Sequence, residues 1–332
     1  MTGPARRPAG GEPYGRVWIM IGVADVEAAA RRIAGRVRRT PVLSVEGGAF
    51  DGVADPTWLK LEYLQHTGSF KARGAMNRLL SAAEAGNLGD GVVAASGGNA
   101  GLAVAYAAGI LGVPAEVYVP LTAPEVKVRK LKALGAEVRQ VGAEYAEANA
   151  AALERAAQTG ALFCHAYDQP EICAGQGTLA LEMLDQVDGL DTVILAVGGG
   201  GLLAGVAAAL HCRARVVGAE PETIPTLHAA LAAGQPVDVE VSGIAADALG
   251  ARRLGDIAYR VAVDTGVRSV LVSDQEVVEA RRLLWEQCRI VMEHGTATAL
   301  AALVTGAYRP EPGERVGILI CGANTNPADL AH

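Results

Sequence analysis

Aromatic residues are scarce in this chain, at 4% of 332 residues, while glycine is abundant at 41 positions. A core of 51% hydrophobic residues must then be built from Ala, Val, Leu and Ile, the texture of a buried parallel sheet flanked by alanine-rich helices. A surplus of positive charge is also missing. The formal net charge is -7, which gives no support for a nucleic-acid or anionic-membrane surface. No apolar run reaches the roughly 18 residues of a membrane span, and the start does not resemble a signal peptide, so a cytoplasmic protein is expected. The five cysteines (Cys164, Cys173, Cys212, Cys288, Cys321) are odd in number, scattered and without a CxxC pair. They are read as reduced thiols, neither a disulfide framework nor a zinc site. The six histidines lack HxxxH or HExxH spacing, and no metal centre is predicted.

Residues 1 to about 16 are rich in Pro, Gly and Arg and predict a disordered tail, with Met20 as an alternative start. Asp25 reads as the N-cap of a helix over Val26 to Val37, ended by Arg39-Thr40-Pro41. From Val92 strand-like and helical segments alternate as a βαβ series, with Gly112 and Gly135 placed as helix ends. A second series begins at TVILAV (192–197), passes through RVVGAE (215–220) and closes with RVGILICG (315–322). The length suits two lobes better than one small core.

Four segments carry chemistry. Lys71 stands where KLEYLQHTGSFKARGAMNRLL (60–80) turns from strand-like to helical, beside Phe70. The positive end of a helix there lowers an amine pKa and readies it for imine formation, although a surface lysine is the commoner outcome for such a residue. ASGGNAG (95–101) links a strand to a helix; its amides suit a carboxylate or phosphate, or mark only a tight turn. VGGGGLLAG (197–205) is a stronger anion signal, because four glycines let the backbone wrap a phosphate with no Cβ in the way. With Glu220 about 20 residues on, it also imitates a dinucleotide fingerprint. In ILICGANTNP (318–327), Cys321 is a core thiol or a ligand contact at a strand end.

Taken in order, SFKARGA around Lys71, SGGN at 96–99, GGGG at 198–201 and CGAN at 321–324 resemble the fold type II pyridoxal-phosphate enzymes, specifically the serine/threonine dehydratase and serine racemase group. The resemblance runs from about Val23 to Asn326, helped by RTP (39–41), AEP (219–221) and VMEHGTATALAAL (291–303). It implies an α/β, two-lobed, tryptophan synthase β-like fold of parallel sheets flanked by helices. The implied division is a tail at 1–19, a large cofactor domain at 20–90 and 169–332, and a small domain at 91–168. The resemblance makes Lys71 the catalytic residue and imine anchor for pyridoxal 5'-phosphate. Phe70 packs beside the ring, Asn99 meets the phenolic oxygen, and Gly198, Gly199, Gly200, Gly201 and Leu202 take the phosphate. Cys321 lies by the ring nitrogen and Glu293 by the ring edge, while Ser96, Gly97, Asn99 and Ala100 bind the substrate carboxylate. A homodimer is implied as well.

A thiol beside the ring nitrogen favours elimination over transamination, so the expected reaction is dehydration of L-threonine, L-serine or a related β-hydroxy amino acid to a 2-oxo acid and ammonia. The group commonly reads Ser-Ser-Gly-Asn-His in the asparagine loop, whereas Gly97 and Ala100 replace the second serine and the histidine here. Without that second hydroxyl, racemisation ranks below elimination. In PETIPT after Glu220 the one acid is Glu222, directly after Pro221, and none follows a few residues further on, so divalent-metal dependence is not expected, and no regulatory domain is expected after the Cys321 turn. A threonine synthase, a β-replacement synthase and an NAD-binding oxidoreductase are the competing readings. Pocket residues are expected from 144–149 and 246–255, where Arg252 and Arg253 face either an acidic substrate or solvent.

Overall fold

The computed structural model describes residues 21–50, 52–53 and 55–330; the expected tail at 1–19 and Met20 lie outside them. Two sheets organise these residues. Strands β1 (Val42–Val45), β2 (Thr57–Lys60), β7 (Thr192–Ala196), β8 (Arg215–Pro221), β9 (Arg268–Val272) and β10 (Val316–Leu319) form one, in the order β1-β2-β10-β7-β8-β9. Only the β1–β2 pair is antiparallel. Strands β3 (Val92–Ala95), β4 (Ala115–Val119), β5 (Glu137–Gln140) and β6 (Leu162–Cys164) form the other, all parallel, in the order β5-β4-β3-β6.

The helices are α1 (Val23–Ile33), α2 (Lys71–Glu84), α3 (Asn99–Leu111), α4 (Glu125–Ala133), α5 (Tyr145–Thr159), α6 (Pro170–Gln186), α7 (Gly201–Leu210), α8 (Thr226–Ala233), α9 (Ala246–Leu249), α10 (Asp256–Thr265), α11 (Asp274–Cys288) and α12 (His294–Val304). Local chemistry sets several of their ends. Ser273 caps α11, accepting from the Glu276 amide at 3.3 Å while the Glu276 carboxylate takes the Ser273 amide at 2.6 Å. Gly112, in the left-handed region at φ 68°, ends α3 as expected. The first helix departs from expectation: it starts at Val23, and Asp25 sits in its first turn with its carboxylate accepting the Gly22 amide at 2.8 Å. An acid three residues into a helix satisfies the same open amides as an N-cap, so the signal was right and its register wrong. The helix also ends at Ile33, ahead of a left-handed Gly35, well before Arg39.

β7 is buried at every position, as a central parallel strand of Thr, Val, Ile, Leu and Ala requires. Helix α7, GLLAGVAAAL, is buried all round and lies so close to α6 that a Cβ on Gly205 would stand 2.1 Å from the Cys173 carbonyl oxygen. Among the described residues no helix is long and apolar enough to cross a membrane, and the five cysteines are all unpaired.

A buried ionic cluster joins β2, α2 and α6. The Arg73 guanidinium donates to Glu62 through Nε and Nη2, both at 2.8 Å, and to Glu182 at 2.7 and 2.9 Å. Lys60 completes it, donating to Glu182 at 2.6 Å, to the Thr40 carbonyl at 2.8 Å and to Gln186 at 2.9 Å. Arg73 is 1% exposed and Glu62 0%, so each charge depends on its partners in place of water. Arg73→Met, which strands the buried Glu62 carboxylate and leaves Glu182 to Lys60 alone, is expected to destabilise the fold by about 3–5 kcal/mol in urea unfolding. A loss below about 1 kcal/mol, the value of an exposed pair, would refute the assignment.

Candidate active site

Lys71 opens α2, directly after backbone that is stitched to the turn beyond β10. Ser69 and Gly322 form an isolated antiparallel bridge, and the Phe70 amide donates to the Cys321 carbonyl at 3.0 Å. The Lys71 amine lies 5.1 Å from the Phe70 ring centre and donates to the Ala166 carbonyl at 2.9 Å. Burial lowers its pKa to about 8, against weaker opposing pulls from Cys173, Cys321 and Glu293. Near neutral pH, part of the population is therefore a free, nucleophilic amine.

Glu293, the residue before α12, fixes the asparagine loop. Asn99 Nδ2 donates to its two carboxylate oxygens at 2.9 and 3.1 Å, and the Asn324 amide donates to it at 2.8 Å. Asn324 Nδ2 in turn donates to Asn99 Oδ1 and to the Thr67 carbonyl, both at 2.7 Å. Burial raises the Glu293 pKa, opposed by the Asn99 and Asn324 donors. Gly322 is the meeting point: a Cβ there would lie 2.9 Å from Glu293, 3.2 Å from Ser69 and 3.4 Å from Asn99. Ser96 and Gly97 connect β3 to α3, and the Ser96 hydroxyl accepts the Gly98 amide at 3.2 Å. The start of α3, where first-turn amides have no partner inside the helix, lines a cleft at Asn99. Gly97, Gly98 and Asn99 line one side of it, Glu293 and Asn324 lie deep, and Lys127 and Asp247 stand at its mouth.

The glycine loop follows β7. Its carbonyls are engaged away from the loop: Gly198 accepts from Thr226 Oγ1 at 2.6 Å, Gly199 from the Gly255 amide at 3.0 Å, and Gly200 from the Ala204 amide at 2.9 Å. What this leaves for a ligand are the amides at the start of α7, with Gly200 at φ 85° to turn them. Tyr167 leans on Gly199 and Gly201, and the preceding Ala166 carbonyl holds the Lys71 amine, so segment 165–168 spans from the lysine to the loop. Cys321 is buried, with Sγ 3.4 Å from the Leu319 carbonyl, and burial pushes its thiol pKa up, which keeps it neutral.

Glu220 has no reach to a ribose. It accepts the Leu227 amide at 2.6 Å, the His228 amide at 2.9 Å and Thr226 Oγ1 at 3.0 Å, capping α8. The dinucleotide reading loses its acid. Arg252 is exposed, and Arg253 lies 3.5 Å from Asp238, so of residues 246–255 it is Asp247 that lines the cleft. Sequence reasoning missed Asn324, Lys127 and the 165–168 segment; only Asn324 carried a signal, as part of the polar run after a buried strand. No group of three potential metal ligands occurs among the described residues.

A family profile described as "Pyridoxal-phosphate dependent enzyme" matches residues 33–322. An L-threonine ammonia-lyase of Thermotoga maritima is 35% identical over 308 residues, covering 92% of this chain and 76% of the relative. A phenylserine dehydratase of Ralstonia pickettii is 39% identical over 277 residues, covering 82% and 84%. Among solved structures, maize serine racemase superposes with a TM-score of 0.87 at 31% identity, covering 94% of this chain and 96% of that one. Reductive methylation of the apoprotein followed by peptide mass mapping should label Lys71 with a half-maximal pH near 8, below the ordinary 10.5. A midpoint shared with surface lysines would refute the lowered pKa.

Proposed function

Because the chain belongs to the pyridoxal-phosphate dependent enzymes, we propose that it is an ammonia-lyase that converts L-threonine, L-serine or a related β-hydroxy amino acid to a 2-oxo acid and ammonia by β-elimination. The observation that carries this reading is the Lys71 amine, lowered in pKa to about 8 by burial and held by the Ala166 carbonyl, next to the Tyr167 that packs on the glycine loop. These groups fit the cofactor. Lys71 would hold it through the amine, Gly198 to Leu202 would hold its phosphate with backbone N–H groups, and Phe70, Asn99, Glu293 and Cys321 would border its ring. When bound, pyridoxal phosphate acidifies the substrate Cα–H and lets a β-substituent leave.

The chain's own residues supply the rest. Amides of Gly97, Asn99 and Ala100, with the Ser96 hydroxyl, receive the substrate carboxylate at the positive end of α3. Lys71, neutral in part at working pH, takes the Cα proton. The β-hydroxyl leaves with a proton as water, and hydrolysis of the released enamine returns that water and yields the oxo acid and ammonia. Gly97 supports elimination over racemisation. A side chain at 97 would meet only Val119 at 3.4 Å and the aliphatic Lys127 Cδ at 3.9 Å, so no hydroxyl stands there to return a proton on a second face. The small domain is assigned to 91–168, supported by the four-stranded sheet that lies within it, and the large one to 20–90 and 169–332. A cytoplasmic homodimer completes the reading, in line with five free thiols.

The purified protein should be yellow, and Lys71→Ala should abolish the colour together with oxo-acid release from L-threonine, L-serine and L-phenylserine. Borohydride reduction and peptide mapping should place the cofactor mass on Lys71. Oxo acid formed only from O-phosphohomoserine, or from none of these, would overturn the lyase assignment.

A further inference from the structure

We propose that Lys127 and Asp247 are positioning residues, a charge pair across the cleft that holds the substrate-carboxylate loop toward the glycine loop. The proposal rests on reading the cleft as an amino-acid site.

Lys127 belongs to α4, the crossover between β4 and β5, and thus to the four-stranded half. Its stem lies beside residue 97: a Cβ there would sit 3.9 Å from Lys127 Cδ, an ordinary van der Waals contact. Its ammonium pairs with the Asp247 carboxylate on α9, within the other half. Helix α9 is itself anchored on the cofactor side. A Cβ on Gly198 would stand 3.0 Å from Leu249 Cα, and one on Gly295 would stand 2.7 Å from Ala248. The single pair therefore links the loop at 97, the first glycine of the phosphate loop and the start of α12. Both charges also act on Glu293, which holds Asn99, and they act with opposite sign.

Exposure decides what such a pair can do. Lys127 is 30% exposed and Asp247 70%, so the pair adds little to fold stability. Its leverage lies in geometry, because a binding loop already held in its bound position pays less ordering cost when substrate arrives.

The test uses the cofactor-loaded enzyme and its variants Lys127→Met, Asp247→Asn and the reversed pair Lys127→Asp with Asp247→Lys. Turnover is followed with L-threonine, and equilibrium binding with L-alanine, which has no leaving group, through the cofactor absorbance. Each single variant should raise the threonine KM and the alanine Kd about fivefold, equivalent to ~1 kcal/mol, with kcat reduced less than about twofold and the melting temperature retained. The reversed pair should recover most of the affinity, and added salt should weaken binding more in the wild type than in Lys127→Met. Single variants that bind alanine like the wild type, or a reversed pair no better than either, would overturn the proposal. A wild type that binds alanine yet makes no oxo acid from threonine would sink the lyase reading alone, leaving the pair to be judged on Kd.

Discussion

The buried guanidinium of Arg73 is the constraint on which the site depends. Arg73 lies two residues past Lys71 in the first turn of α2, and its forked contacts reach Glu62, just after β2, and Glu182 in α6. Planar, permanently charged donors fix direction as well as distance, so the start of α2 has one orientation relative to the sheet edge. With that orientation set, the Lys71 side chain must emerge toward Cys321 and Ala166. A cluster of four charges in a dry interior is an expensive way to hold a helix. Its use here fits a position where the helix start matters more than the stability it contributes.

Around Lys71 the chemistry is conspicuously neutral. Its amine donates to a carbonyl and lies by an aromatic ring, and the thiols of Cys173 and Cys321 that influence it are buried, while Glu293 is occupied by Asn99 and Asn324. No carboxylate is hydrogen-bonded to the amine to hold the proton on, and burial lowers its pKa to about 8. The same economy recurs at the anion sites, which are made of backbone amides at the starts of α3 and α7. Amides bind anions without introducing a formal charge that would reset the lysine.

How much of this was legible in the sequence follows from the range of each interaction. The βαβ alternation, the glycine loop and the left-handed Gly112 were readable because strand period, missing Cβ atoms and helix ends are local properties. Lys71 was not readable locally, since a lysine opening a helix looks like a solvated one; the family order of motifs singled it out. The first helix was misplaced because an acid at the cap and an acid one turn in answer the same open amides. Asn324 and the Lys127–Asp247 pair meet partners far along the chain, and a long-range contact leaves no trace in its neighbours. Glu220 shows the converse: a spacing that imitates a ribose ligand proved to be a helix cap.

The position of β10 between β2 and β7 has a bearing on how the molecule is made. It follows all other described strands in the chain, yet it pairs on both sides. During synthesis from the N-terminus, β2 and β7 emerge with their facing edges unpaired, and the second waits for more than a hundred residues of translation before its neighbour exists. Until then the nascent chain carries two open, apolar strand edges, a state in which chaperone capture and wrong pairing compete with folding. Cys321, Gly322 and Asn324 arrive with the same strand, so the lysine gains its surroundings in the step that closes the sheet.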